Sequence, residues 1–246
     1  MSPRRTLAVA VRVLAQVRRD PRTLALLVLV PCLLMTLLWW MFKDEPGFNL
    51  FDQIAPALLA IFPFIVMFLV TSVTTLRERS GGTLERLLAM PLAKLDLLLG
   101  YALAFGLLAA IQAAAAVGVS VGLLGLDIEG SVWLLAVVGI ADAVLGTALG
   151  LFVSAFARTE FQAVQFMPAL VVPQILLCGL LVPRDAMPEV LHRISDVLPL
   201  SYAVDAMNDL AGSAATADVW RNLAVIAGFA VAFLALGAAT LKRRTA

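Results

Sequence analysis

An all-α integral membrane protein with six transmembrane helices is the fold this sequence predicts, on three observations. Hydrophobic residues make up 62% of the chain and charged ones 14%, and the mean hydropathy is +0.98. Water-soluble domains hold about 45–50% apolar and about 25% charged residues. Six stretches, near 24–42, 53–76, 96–124, 131–157, 161–182 and 219–241, are long and apolar; each reaches the roughly 20 residues that cross about 30 Å of hydrocarbon. The basic residues, finally, crowd into alternate connections between those stretches. Residues 1–246 read as a single transmembrane domain.

Residues 4–19 precede the first span. Arg5, Arg12, Gln16 and Arg19 share one helical face, with Leu7, Val11 and Leu14 opposite and Val9 interrupting the polar side. The pattern predicts a basic amphipathic helix lying on a membrane surface; the plainer alternative is a charge cluster that only sets topology. Asp20-Pro21 ends it, since the residue before a proline is pushed out of the α region. The first span reads as retained rather than a cleaved signal: its apolar run is long and no A-x-A-like site follows in MFKDEPGF. Pro31, Pro56, Pro63, Pro168 and Pro173 fall inside spans, which membrane helices tolerate when neighbours satisfy the freed carbonyls. Cys32 and Cys178 lie in separate apolar segments and read as small apolar fillers.

Between the second and third spans stands RERSGGTLERLLAMPLAK, residues 77–94. Gly81-Gly82 breaks the preceding helix, Thr83 is a fitting N-cap, and Glu85 sits in a first turn where the helix dipole favours an acid. Leu84, Leu87, Leu88 and Pro91 share a face, with Glu85, Arg86 and Ala89 on the other. The spacing predicts a short helix with one apolar face, suited to docking; a solvated loop with topogenic arginines is the alternative that spacing leaves open.

The third and fourth spans carry Gly118-x-x-x-Gly122 and Gly146-x-x-x-Gly150. Such small-residue pairs permit close helix approach, and with both spans carrying one, contacts inside a single subunit are expected. Asp142 is the intramembrane acid of the fourth span. The neighbouring valines, leucines and isoleucines compensate the cost of inserting it, so it is expected to face the bundle interior in a structural role. Residues 183–218 hold too many acids and prolines to span, and 184–211 within them are read as external helices. Met187, Leu191, Ile194 and Leu198 recur at helical spacing, and Leu200, Val204, Met207 and Leu210 repeat the pattern after Pro199. Two short external helices, bent at Leu198-Pro199-Leu200, are predicted there, dipping into the outer leaflet or capping the bundle, with Met187, Leu191, Ile194 and Leu198 expected to be buried in the bundle's outer end.

Fourteen of the eighteen basic residues fall on one side of this layout: the N-terminal arginines, Arg77, Arg79, Arg86 and Lys94, Arg158, and Lys242, Arg243 and Arg244. The positive-inside rule makes that side, with both termini, cytoplasmic. A net charge of +1 gives no footprint for nucleic acid. No G-x-x-x-x-G-K-[ST] is present to cradle ATP phosphates, nor any H-E-x-x-H, paired-carboxylate or Ser-His-Asp set, so no catalytic residues and no metal site are expected. The arginine bias and abundant alanine point to a GC-rich bacterial genome.

Arg77-Glu78, Gly82-Thr83-Leu84-Glu85, Leu88 and Pro91-Leu92 resemble the cytoplasmic loop of ABC-2 type permeases. The run FQAVQFMPALVVPQILLCGLLVPRDAMPEVLHRISDVLPLSYAVDAM is similar to their daunorubicin-exporter branch. The resemblance covers nearly the whole chain, with Gly81 an extra glycine before the Thr-Leu-Glu. It implies that Glu78, Gly82, Thr83, Leu84, Glu85, Arg86, Leu87, Leu88 and Pro91 form the coupling segment received by a separate ABC ATPase, and that its charges serve that partner. It implies two permease copies, identical or paralogous, with two ATPases that hold ATP and magnesium, this chain binding no cofactor. It also implies a bacterial inner-membrane location among lipids and export tied to multidrug or lipid efflux and antibiotic resistance. Gln165, Phe166 and Gln174 of the fifth span are the candidate pathway residues, and a pathway with so little fixed polarity suits an apolar or amphipathic substrate. The alternatives are a stand-alone secondary transporter or a membrane assembly factor.

Overall fold

The computed structural model describes residues 2–43, 50–81 and 94–240. Among them the chain is helical throughout, without strands: α1 (Pro3–Arg18), α2 (Pro21–Phe42), α3 (Leu50–Ser80), α4 (Lys94–Gly122), α5 (Val132–Val153), α6 (Glu160–Leu177), a 3-10 turn (Arg184–Ala186), α7 (Glu189–Ser195), α8 (Pro199–Gly212) and α9 (Ala217–Thr240). Six of these, α2, α3, α4, α5, α6 and α9, are long and apolar enough to cross a membrane. The six predicted stretches all appear. The largest boundary error is at α6, which ends at Leu177 rather than near 182 because Gly179 turns the chain with φ +97°.

Helices in lipid gain nothing from hiding apolar surface from one another, so close packing must hold them. The α3–α5 pair forms the centre on that basis. A Cβ on Gly146 would lie 2.5 Å from the Phe64 carbonyl oxygen, and one on Gly150 would lie 2.7 Å from that of Phe68; the bare glycines let the two backbones touch. Phe64, Phe68, Leu135 and Leu145 fill the space around this seam. The pair on α4 behaves otherwise: a Cβ added to Gly118 or Gly122 would meet no atom of another element within 4 Å, so the expectation that both pairs pack inside the subunit holds for α5 alone. Gly100 makes the other close approach, its would-be Cβ 2.6 Å from Val9 Cβ and 2.9 Å from the Thr6 carbonyl oxygen.

That contact seats α1 on α4. The buried face of α1 is Thr6, Val9, Ala10, Val13 and Val17, packed on Leu97, Tyr101 and their neighbours, while Leu7 and Val11 stay exposed. Of the apolar face read from the sequence, Leu7 and Val11 thus point outward and only Leu14 packs in part against this cluster, while Val9, which interrupts the polar face, is the docking residue. Asp20 then accepts from the Thr23 amide (3.2 Å) and hydroxyl (2.6 Å), capping α2, and these bonds hold its carboxyl below the usual carboxylate range.

At the opposite end, α8 behaves as its periodicity predicts: Leu200, Val204, Met207 and Leu210 are fully buried, packed between α3, α5 and α9. Gly130 fits under it, donating to the Leu210 carbonyl at 2.9 Å. α7 does not follow. Leu191 and Ile194 are exposed, Met187 and Leu198 half-buried, contrary to the expected burial. The reason is polar: Arg184 holds this segment through Asp196, Asp205 and the Ser195 hydroxyl, which turns the apolar face of α7 outward.

Candidate functional site

The site expected between α3 and α4 is visible at its two flanks. Gly82, Thr83, Leu84, Glu85, Arg86, Leu87, Leu88 and Pro91 lie outside the described residues; Glu78, on the last turns of α3, lies within them. Its side chain is 4% exposed and accepts from Arg12 Nη2 at 3.3 Å. On the other flank the backbone amide of Ser2 donates to Asp96 Oδ1 at 3.1 Å, at the start of α4. One short helix therefore grips both ends of the 82–93 connection: the Arg12–Glu78 pair at α3, and at α4 the Ser2–Asp96 bond and the Gly100 seat.

A second tie joins α3 to α6. Arg77 meets Glu160 in a two-pronged ion pair, Nε to Oε1 at 2.8 Å and Nη2 to Oε2 at 2.9 Å. Both side chains are more than half exposed, so the pair adds little to stability. Arg12–Glu78 is different. Removing Arg12 would strand a buried carboxylate, at a cost of about 1–3 kcal/mol. Of the charges of 77–94, Arg77 and Glu78 are thus engaged within the chain, while Glu85 and Arg86 lie outside the described residues. The sequence held a signal for neither pairing, because each partner lies tens of residues away.

The candidate pathway residues do not converge. Gln165 is exposed on the outer surface of α6, and Phe166 is half-buried beside Leu76, Ala157 and Ala163. Gln174 is buried and structural: its Nε2 donates to the Leu170 carbonyl at 3.0 Å and its Oε1 accepts from the Leu200 amide at 3.3 Å. It thereby satisfies a backbone N–H at the start of α8, where helix termini leave such donors free. Asp142 is fully buried, as expected of an interior acid, with neither carboxylate oxygen hydrogen-bonded among the described residues. Gln112 on the adjoining α4 is likewise buried with both amide atoms unpaired. Among the described residues no group of three or more His, Cys, Asp or Glu side chains is placed to hold a metal ion.

Comparison with known proteins agrees with this architecture. The ABC-2 type transporter family profile matches residues 4–210. The probable multidrug ABC transporter permease YbhS of Escherichia coli (strain K12) is 29% identical over 194 residues, 78% of this chain and 51% of that one. YbhR, a probable multidrug ABC transporter permease of the same strain, is 28% identical over 171 residues, 69% and 46% of the two chains. ABC transporter G family member 20 of Dictyostelium discoideum is 26% identical over 166 residues, 68% of this chain and 23% of that protein. The chain thus spans about half the length of these bacterial relatives and about a quarter of the Dictyostelium one. With six apolar helices around the α3–α5 seam and the match running from α1 into α8, the chain belongs to the ABC-2 type transporter family.

Proposed function

We propose that the chain is the membrane-spanning subunit of an ATP-driven exporter of apolar or amphipathic compounds, a drug or a lipid, moved by a separate ATPase. The observation that carries this reading is the grip of α1 on both flanks of the 82–93 connection. A segment that must transmit force needs stiff attachments. Here Glu78 ties to Arg12 and Asp96 to Ser2, so a push on the connection is shared by α3, α4 and α1 together. From α3 it passes into α5 through the Gly146 and Gly150 contacts. The names of the bacterial relatives, as multidrug ABC transporter permeases, are consistent with the substrate class.

In this reading the α1 end of the bundle is cytoplasmic, where the basic residues crowd, and the α8 end faces outward. The helix beginning at Thr83 enters a groove on the ATPase, burying Leu84, Leu87 and Leu88 while Glu85 and Arg86 meet polar groups at the rim. Two permeases with two ATPases make the working unit, and ATP and magnesium sit on the ATPases. Burial of three leucines at about 1.5–3 kcal/mol each outweighs exposed ion pairs. Leu88→Asp should therefore abolish co-purification of the ATPase and ATP-dependent export while leaving the protein in the membrane, and Arg86→Ala should cost far less. Intact co-purification and export in Leu88→Asp would overturn the assignment. Export driven by an ion gradient, with no ATPase in an active preparation, would favour a stand-alone carrier.

A further inference from the structure

α1 lies across the bundle rather than beside one span. Ser2, which caps it, donates its amide to Asp96 Oδ1 in the first turn of α4 at 3.1 Å, and Val9 sits on Gly100, one turn further along α4. Arg12 then reaches Glu78 in the last turn of α3, and the chain passes through Asp20 into α2 at Pro21. Those three span ends lie on one side of the bundle, because successive spans alternate in direction. The helix is therefore laid along that face, at the depth where hydrocarbon gives way to headgroups. One side of it, Thr6, Val9, Ala10, Val13 and Val17, is buried against the spans.

Among the described residues nothing covers the opposite side. Leu7 is 57% exposed and Val11 63%; on the same stripe, at helical spacing, stand Arg4 before them and Ala15 and Arg18 after. Arg5 and Arg19 extend the two ends. All four arginines are exposed, and none has an ion-pair partner among the described residues. Residues 1–19 contain no acid, so nothing along the helix neutralises them. Leu95 on α4 and Leu26 on α2, within two turns of the ends that α1 touches, are exposed as well. The apolar centre of the stripe thus continues a surface that membrane lipid covers. Whatever lies on the stripe must be apolar opposite Leu7 and Val11 and anionic opposite the arginines. The headgroup boundary of an anionic leaflet has that order.

We infer that the outward stripe of α1 binds anionic phospholipid, with Leu7 and Val11 set among the acyl chains just below the headgroups and Arg4, Arg5, Arg18 and Arg19 on the phosphates. Near an anionic leaflet each such arginine adds about fivefold to affinity, and salt screens the attraction. The consequence reaches the 82–93 connection. α1 holds Glu78 through Arg12 and Asp96 through Ser2, so lipid that fixes α1 also stiffens both flanks. The charge of the leaflet then sets how firmly the connection is braced. Use of that brace in transport rests on the exporter reading; lipid binding and bracing need neither ATP nor a partner.

The test places the full chain, with Val11→Trp as reporter, in nanodiscs of equimolar phosphatidylglycerol and phosphatidylcholine. One lipid at a time carries bromine on its acyl chains, and the fluorescence of the unsubstituted chain is subtracted. Brominated phosphatidylglycerol should quench the reporter about twofold more than brominated phosphatidylcholine. Arg4→Gln, Arg5→Gln, Arg18→Gln and Arg19→Gln combined should bring the two to equality, as should high salt. Hydrogen exchange of α1 and of the last turn of α3 should be about fivefold slower in phosphatidylglycerol discs than in phosphatidylcholine discs. The combined variant should lose that difference while keeping the wild-type melting temperature in phosphatidylcholine, since none of its four arginines pairs with the bundle. Equal quenching by the two lipids, selectivity that survives the combined variant, or exchange indifferent to lipid charge would each overturn the inference. So would loss of quenching by both lipids once an ATPase subunit is bound, which would assign the stripe to that protein. Loss of ATPase co-purification in Leu88→Asp bears on the coupling reading alone.

Discussion

The glycine pairs on α4 and α5 are written alike in the sequence and used differently by the fold. Gly146 and Gly150 meet the backbone of α3 at distances where no Cβ fits, whereas Gly118 and Gly122 face open space. A small-residue pair gives a helix the capacity for close approach; whether that capacity is used depends on which helix lies opposite. The α5 pair faces α3, which packs most closely against α5 and also meets α2, α4, α6 and α8, while the α4 pair lies near the end of its helix. Gly100 completes the lesson, since it belongs to no such pair and still seats α1.

The largest effect should come from Gly146→Leu. Overpacking costs about 1–3 kcal/mol and occasionally more, and here the obstructing atom is a backbone carbonyl, which cannot turn aside. The purified protein should melt about 5–10 °C lower, or fail to accumulate in the membrane. Wild-type melting would break the distinction between the two pairs.

Gly100→Leu should be next. Because α1 lies at the edge of the bundle, the spans should survive at a cost of about 1–3 kcal/mol, while amides of α1 lose hydrogen-exchange protection. Unchanged protection would show that the seat does not depend on that glycine.

Arg12→Ala separates the ionic part of the same docking from its steric part. Stranding Glu78 should cost about 1–3 kcal/mol, toward the lower end because Arg12 is one-third exposed. Adding Glu78→Gln should restore most of the melting temperature by removing the buried charge. Failure of that rescue would mean Arg12 acts through packing instead. Arg77→Ala, which breaks a pair exposed on both sides, should lower the melting temperature far less than Arg12→Ala, with any loss shrinking at high salt.

The smallest effect belongs to Gly118→Leu, expected to leave the melting of the single chain unchanged. A loss of dimer by cross-linking with melting intact would assign the open pair to contact with a second copy, sharpening the comparison further.

Much of this architecture is legible in the amino-acid sequence alone, because crossing a membrane is a demand on composition and length. The six spans, the break at Gly81, the end of α1 at Asp20-Pro21 and the buried face of α8 all follow from local pattern, since each depends on residues within a few turns of one another. Tertiary structure alone decided the rest. The apolar residues of α1 surround more of the helix than one face, so only the presence of Gly100 selects Val9 over Leu7 for docking. The α7 and α8 segments have the same apolar period, but Arg184 ties one outward while the α3–α5–α9 groove takes the other. Arg12–Glu78, Arg77–Glu160 and the unpaired amide of Gln112 join positions remote in the chain or depend on what is missing nearby. Periodicity reports which face of a helix is apolar, a property of one segment; which neighbour covers that face, and which polar atoms it leaves unanswered, belongs to the packing of all of them.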